Sequence, residues 1–237
     1  MRESVMTGKL IVAILAILVS TAISSAQSPE RKPKKPKLRK ELISMVTEDQ
    51  NDRRAYDTFR KENGLMINNK ALNERLDNDP PFKERFFAAS GKLIQGDARR
   101  TLRFKEIVAK YGWPSKSLVG TDGENAAYLL IAHATKDPKN GGPDVDFQKL
   151  GRDLMAKLPV GEVDVNHLAS LTDRLLVYEG KKQWYGMMLT RNEKNEKVPQ
   201  PIEDEAHVDE RRAKIGLEPL DEYLRKEGAV RGTPAKP

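Results

Sequence analysis

Asp49, Gln50 and Arg53 fall within little more than one helical turn. On a helical wheel Gln50 and Arg53 share a side with Leu42 and Val46, and Asp49 sits beside them. Farther along, His133 falls between Ala126, Leu129 and Leu130, and Arg212 aligns with Val208 and Ile215 with Arg211 at its flank. Polar groups placed where apolar side chains belong cost about a few kcal/mol each when unpaired. They therefore need partners, water or a ligand.

Three readings of these residues stay open. Two guanidinium groups with an imidazole and an amide suit a carboxylate or phosphate, because arginine forks match those groups. The first reading is accordingly a binding module with an anion pocket, drawn from Gln50, Arg53, His133, Asp173, Arg174, Gln183, Tyr185 and Arg212. The second is a hydrolase with His133 as general base, oriented by Asp173 or Asp49. The third is an internal network in which Arg53 and Arg212 pair with Asp49, Asp173 or Asp209, and His133 caps a backbone carbonyl. Asp173 and Arg174 lie on the two flanks of the stripe Leu168, Leu171, Leu175 and Leu176, as solvated charges or as part of a site. The three histidines show no metal-ligand spacing, no G-x-S-x-G occurs, and Val119–Gly123 reads as a turn and helix cap. No cofactor is expected.

The elements that must hold these residues are mostly helices. Apolar periodicity and stop signals predict helices over 40–61, 97–111 with Asp97 as cap, 123–135, 145–158, 165–178, 208–215 and 220–226. Residues 64–95 contain Pro80-Pro81 and Gly91 and read as an insertion with a short helix over 82–89; residues 138–143 read as a loop. Gln183–Leu189 and Lys197–Ile202 read as the strands of one hairpin. The expected fold is mainly α: a single helical domain over 41–226 with one small β-hairpin, and a disordered tail over 227–237.

The N-terminal segments bear on location. Leu10–Val19 is an unbroken apolar run followed by Ser24-Ser25-Ala26, the layout of a signal peptide over 1–26 and shorter than the ~20 residues of a membrane span. Export to the periplasm or beyond is the expectation, with an uncleaved membrane anchor as the alternative. Cysteine is absent, which excludes disulfides and a thiol nucleophile and fits a bacterial envelope protein. Net charge is +7, and the run RKPKKPKLRK at 31–40 carries essentially all of it. This basic linker (27–40) is read as a solvated spacer kept extended by its prolines. A second expectation is contact with an anionic surface through residues 31–40. Nucleic acid suits an exported chain poorly; the expected partner is a small anionic ligand or an envelope protein. A structural protein attached by this arm is the remaining function.

The order of short motifs is informative as a whole. Asp49-Gln50 with Arg53, Tyr111-Gly112-Trp113-Pro114, His133-Ala134, Asp173-Arg174, Gln183 with Tyr185-Gly186, Pro201-Ile202-Glu203-Asp204, Arg211-Arg212 and Gly216-Leu217 follow one another along the chain. Together they resemble a widespread bacterial family of unknown function, over about 42–224. The resemblance implies a shared fold unit and shared polar positions, and no reaction. Against that pattern, Ala132 stands where glutamine is usual, and Met187-Met188 stand where Thr-Gln is usual.

Overall fold

Pro36 opens the first helix, α1 (Pro36–Glu62), in a computed structural model that describes residues 32–65 and 69–235. The expected signal peptide and the start of the linker lie outside the described residues. The helix begins four residues before its expected start. Proline at the first helical position gives up only an N–H that has no partner there anyway, so Pro36 starts the helix instead of preventing it. Just before it, Lys34 and Lys35 donate backbone N–H groups to the Ser117 and Leu118 carbonyls at 3.2 and 2.9 Å. The second half of the basic linker is therefore part of the domain, and Leu38 is buried in the core.

The same chemistry corrects residues 64–95. In place of one short helix over 82–89, α2 (Asn69–Asn78) is followed by α3 (Pro80–Tyr111), a single helix of 32 residues. Asp79 caps it by accepting from Phe82 N–H at 3.0 Å, and the two prolines fill its first turn. Gly91 passes through without a break. Stacking of Phe59 on Phe82, with ring centroids 6.1 Å apart, binds this end of α3 to α1. Asp97, expected as a cap, lies mid-helix, which frees its carboxylate for side-chain partners.

Helix α4 (Lys116–Ala132) starts earlier than expected, with a kink where Gly120 takes φ 80°, and stops at Ala132. His133 is the residue just past its end. Thr135–Asp137 (β1) and Gly141–Pro143 (β2) then pair antiparallel where a loop was expected. Helices α5 (Val145–Ala156) and α6 (Val165–Tyr178) follow, each capped by an aspartate, Asp144 and Asp164. Leu42, Phe104, Ile107, Ala127, Ile131, Phe147, Leu171 and Leu175 form the core shared by α1, α3, α4, α5 and α6.

The second hairpin is β3 (Leu189–Arg191) with β4 (Lys197–Pro199), Leu189 opposite Pro199. It starts later than the expected 183–189 strand because residues 184–188 fold over α6. Only Gln183 of the earlier stretch pairs, in an isolated parallel bridge with Ile202. Helices α7 (Val208–Lys214) and α8 (Leu220–Lys226) close the chain on a smaller cluster of Ile202, Val208, Leu220 and Leu224. The expected loose tail is tied down at its start. Ala229 is buried, Val230 N–H donates to Lys197 at 2.9 Å, and Arg231 pairs with Asp221 at 2.5 Å. Among the described residues the fold is mainly α, with two small hairpins.

Candidate functional site

Two polar clusters hold the residues singled out by sequence. The first is built on Asp49, whose side chain is fully buried on the inner face of α1. Gln50 Nε2 donates to its Oδ2 at 2.8 Å, and Arg53 Nε reaches both oxygens at 3.2 Å. His133 Nδ1 lies 2.9 Å from Asp49 Oδ2. Arg53 Nη2 also bonds Asp97 at 2.9 Å. On the far side, buried Arg100 binds Asp52 at 2.8 Å and Asp97 at 2.9 Å. The spacing explains the meeting: Asp49, Asp52 and Arg53 share one turn of α1, as Asp97 and Arg100 share one turn of α3. Gly96 lets the helices carry this lattice at close quarters. A Cβ there would sit 2.6 Å from Asp52 Oδ2 and 2.8 Å from Arg100 Nη2.

Burial pushes the Asp49 carboxyl up, but the His133 and Arg53 hydrogen bonds outweigh it and hold Asp49 well below the usual carboxylate range. Asp97 goes the other way, raised above its ordinary value by burial despite its arginines. For Arg100, burial is overcome by the hydrogen bonds it donates to Asp52 and Asp97, which raise it.

His133 Nδ1 has two close neighbours that ask for opposite tautomers. Asp49 at 2.9 Å requires a proton on Nδ1, whereas Arg53 Nε at 3.1 Å would donate to a bare Nδ1. The carboxylate decides, because an ionised Asp49 can only accept and a bare Nδ1 would face it lone pair to lone pair. Arg53 Nε–H already has the Asp49 oxygens as acceptors. In the neutral imidazole, Nδ1 therefore carries the proton and Nε2 is bare. No hydrogen bond engages Nε2, or Arg53 Nη1, among the described residues.

A cleft of about 260 Å³ opens beside this pair. Arg53, Asp97 and His133 form its polar wall, Leu93 and Ile94 of α3 an apolar one, and Tyr178 with the β1–β2 hairpin completes it. Among the described residues no group of three or more His, Asp or Glu is placed to hold a metal ion.

The second cluster is closed. Asp173 on α6 is fully buried, and its carboxylate accepts backbone N–H groups of Trp184, Tyr185 and Met187 at 2.8, 3.1 and 2.9 Å. Of the two readings of this flank, solvated or part of a site, the solvated one fails for Asp173, because the 184–188 loop wraps over it. Burial raises the Asp173 carboxyl, against the pull of those N–H groups. Arg212 on α7 is also fully buried. It donates from Nε to Glu218 O at 2.6 Å and from Nη1 to Tyr185 O at 2.5 Å, with its guanidinium 5.0 Å from the Tyr223 ring centroid. Burial lowers its pKa. Gln183 acts like an extra strand: Oε1 accepts from Met188 N–H at 2.7 Å, and Nε2 donates to Met188 O and Gln200 O. Gly186, at φ 79°, sits where a Cβ would lie 2.7 Å from Leu220.

Gln50, Arg53 and His133 thus come together, while Asp173, Gln183, Tyr185 and Arg212 gather elsewhere. Arg174 stands between, donating to the Ala132 carbonyl at 3.1 Å, one residue before His133. Arg53 pairs with Asp49 as one reading expected; Arg212 meets carbonyls in place of Asp173 or Asp209, and His133 meets Asp49 in place of a carbonyl. Asp52, Asp97 and Arg100 were not anticipated. The Asp97–Arg100 spacing is a legible signal only once 80–111 is read as one helix. A further pair, His167 Nδ1 to fully buried Glu124 at 3.0 Å with the imidazole stacked 4.0 Å from Tyr128, was also not anticipated.

Fold and cleft together define a mainly α domain with a histidine–aspartate pair at the edge of a small polar pocket. The chain belongs to a family of unknown function, DUF6624, whose model matches residues 36–234. No curated protein matches the chain, and no solved structure matches it.

Proposed function

We propose that the cleft is a catalytic site in which His133 acts as a general base on water, in a hydrolysis of a small carbonyl compound. One observation carries this reading: His133 Nδ1 lies 2.9 Å from the fully buried, ionised Asp49, on the wall of an open cleft. A carboxylate that fixes the tautomer leaves Nε2 as the proton acceptor. In the step, Nε2 takes a proton from water as its oxygen bonds the carbonyl carbon. Arg53 Nη1, with no bond of its own, supports the resulting oxyanion. Collapse of the adduct breaks the bond to the leaving group, which takes the proton back from the imidazolium. The nearby charges balance, with three aspartates against Arg53, Arg100 and the more distant Lys92. That balance favours an uncharged substrate over an anion. An anion pocket would need free guanidinium groups, whereas most donors of Arg53 and Arg212 are already committed. The apolar run at Leu10–Val19 supports the cell envelope as the place of action.

A panel of p-nitrophenyl esters, anilides and phosphates tests the reading. Ester or anilide turnover is expected, falling by about 10²–10⁴ in His133→Gln. Turnover unchanged in that variant, or absent across the panel, would overturn it.

A further inference from the structure

Independently of the cleft, we infer that the lysine-rich face at the start of α1 binds anionic phospholipid headgroups. Lys32, Lys34, Lys35, Lys37 and Lys40 are all exposed, and the backbone bonds from Lys34 and Lys35 to Ser117 and Leu118 fix how they are displayed. Folding adds lysines distant in sequence. Lys35 and Lys110 stand 5.9 and 5.2 Å from the centroid of the same ring, Tyr111, and Lys116 adjoins Ser117, which binds Lys34. None of these lysines forms an ion pair among the described residues. Of the carboxylates at hand, Asp122 is committed to Arg39 and Glu41 to Arg103, while Glu162, bonded to the Ser117 N–H, and Asp164 attract Lys34 and Lys116 without forming an ion pair.

The position makes the crowding costly. A helix N-terminus carries the positive end of the helix dipole, and acidic residues are favoured there. The first turn of this 27-residue helix has none, and lysines surround it. A layer of phosphate groups relieves both the mutual repulsion and the clash with the dipole. Lipid fits better than nucleic acid for two reasons. Single-strand binding relies on open aromatic faces, and the ring in this patch, Tyr111, has both lysines over it. Under the alternative reading of Leu10–Val19 as an uncleaved anchor, Lys32, about a dozen residues farther on, would also be held at a membrane surface, where polybasic segments meet anionic headgroups.

Co-sedimentation of the full chain with phosphatidylglycerol-containing vesicles, against neutral phosphatidylcholine vesicles, tests this. Comparing the two lipids removes any salt-insensitive apolar insertion. Tighter binding to the anionic vesicles is expected, weakening as salt is added. It should fall at least about a hundredfold in Lys35→Glu/Lys37→Glu/Lys110→Glu, at roughly fivefold or more per lysine. Reversal of the scattered exposed lysines Lys61, Lys157 and Lys194 should cost far less. Equal binding to both lipids, indifference to salt, equal losses in the two triple variants, or tighter binding to a single-stranded oligonucleotide at the same salt would each overturn the inference. The salt series needs no variant, so a folding defect cannot decide the outcome.

Discussion

Asp49 and Asp173 are both fully buried aspartates on helices, yet they have opposite surroundings. Asp173 is met by three backbone N–H groups of one loop, and its neighbour Arg212 by two backbone carbonyls. Asp49 is met by side chains: a glutamine, an arginine and a histidine that also lines a cleft. A buried charge spent on main chain fixes the path of that chain. A buried charge spent on a side chain with a second, unengaged polar edge prepares that edge for something else. The burial alone does not distinguish them; the partners do.

The largest expected effect separates the clusters by stability. Asp173→Ala or Arg212→Ala strands several buried backbone groups, and each should cost about 3–5 kcal/mol in urea unfolding. His133→Ala, at a cleft edge, should cost no more than about 1 kcal/mol. Equal losses would erase the contrast. Next in size, Gly96→Ala forces a methyl into the Asp52–Arg100 contact and should cost about 1–3 kcal/mol. An unchanged midpoint would mean the lattice yields freely.

The smallest effect is in pH dependence, with opposite signs. Folded Asp173 binds its proton more tightly than the unfolded chain, whose carboxyl has the ordinary value of 3.8. Its contribution to stability therefore falls as pH rises above 3.8 through the raised folded value. Folded Asp49 binds its proton less tightly, so its contribution is present above 3.8 and is lost as pH falls below it. In unfolding curves taken across pH, Asp173→Asn should flatten the upper slope and Asp49→Asn the lower one. The same slope lost in both variants would contradict the assignment of opposite shifts.

Sequence made part of this visible. The 165–178 helix was readable to the residue because its leucine stripe and its Asp164 cap are local. Gln50, Arg53 and His133 were readable as inward-facing because a wheel reports the face of one helix. Asp173 stayed open between a solvated flank and a site for the same reason: what buries it is a loop more than ten residues later, which no wheel contains. Asp97 was read as a cap because Pro80-Pro81 and Gly91 are breakers in most settings; here they form a helix start and an ordinary helical position, and Asp97 lies mid-helix beside Arg100. The β1–β2 hairpin was hidden because its strands are only three residues long, one of them Gly-Gly-Pro, and carry no alternation.

The base assigned to the cleft rests on the His133 tautomer, and a long-range ¹H–¹⁵N NMR spectrum of the neutral imidazole reads it directly. The expected spectrum has the proton on Nδ1, facing Asp49, with Nε2 unprotonated, and that signature lost or reversed in Asp49→Asn. A proton on Nε2 in the unsubstituted protein, with Nδ1 accepting from Arg53, would leave no base facing the cleft and would contradict the proposed catalysis.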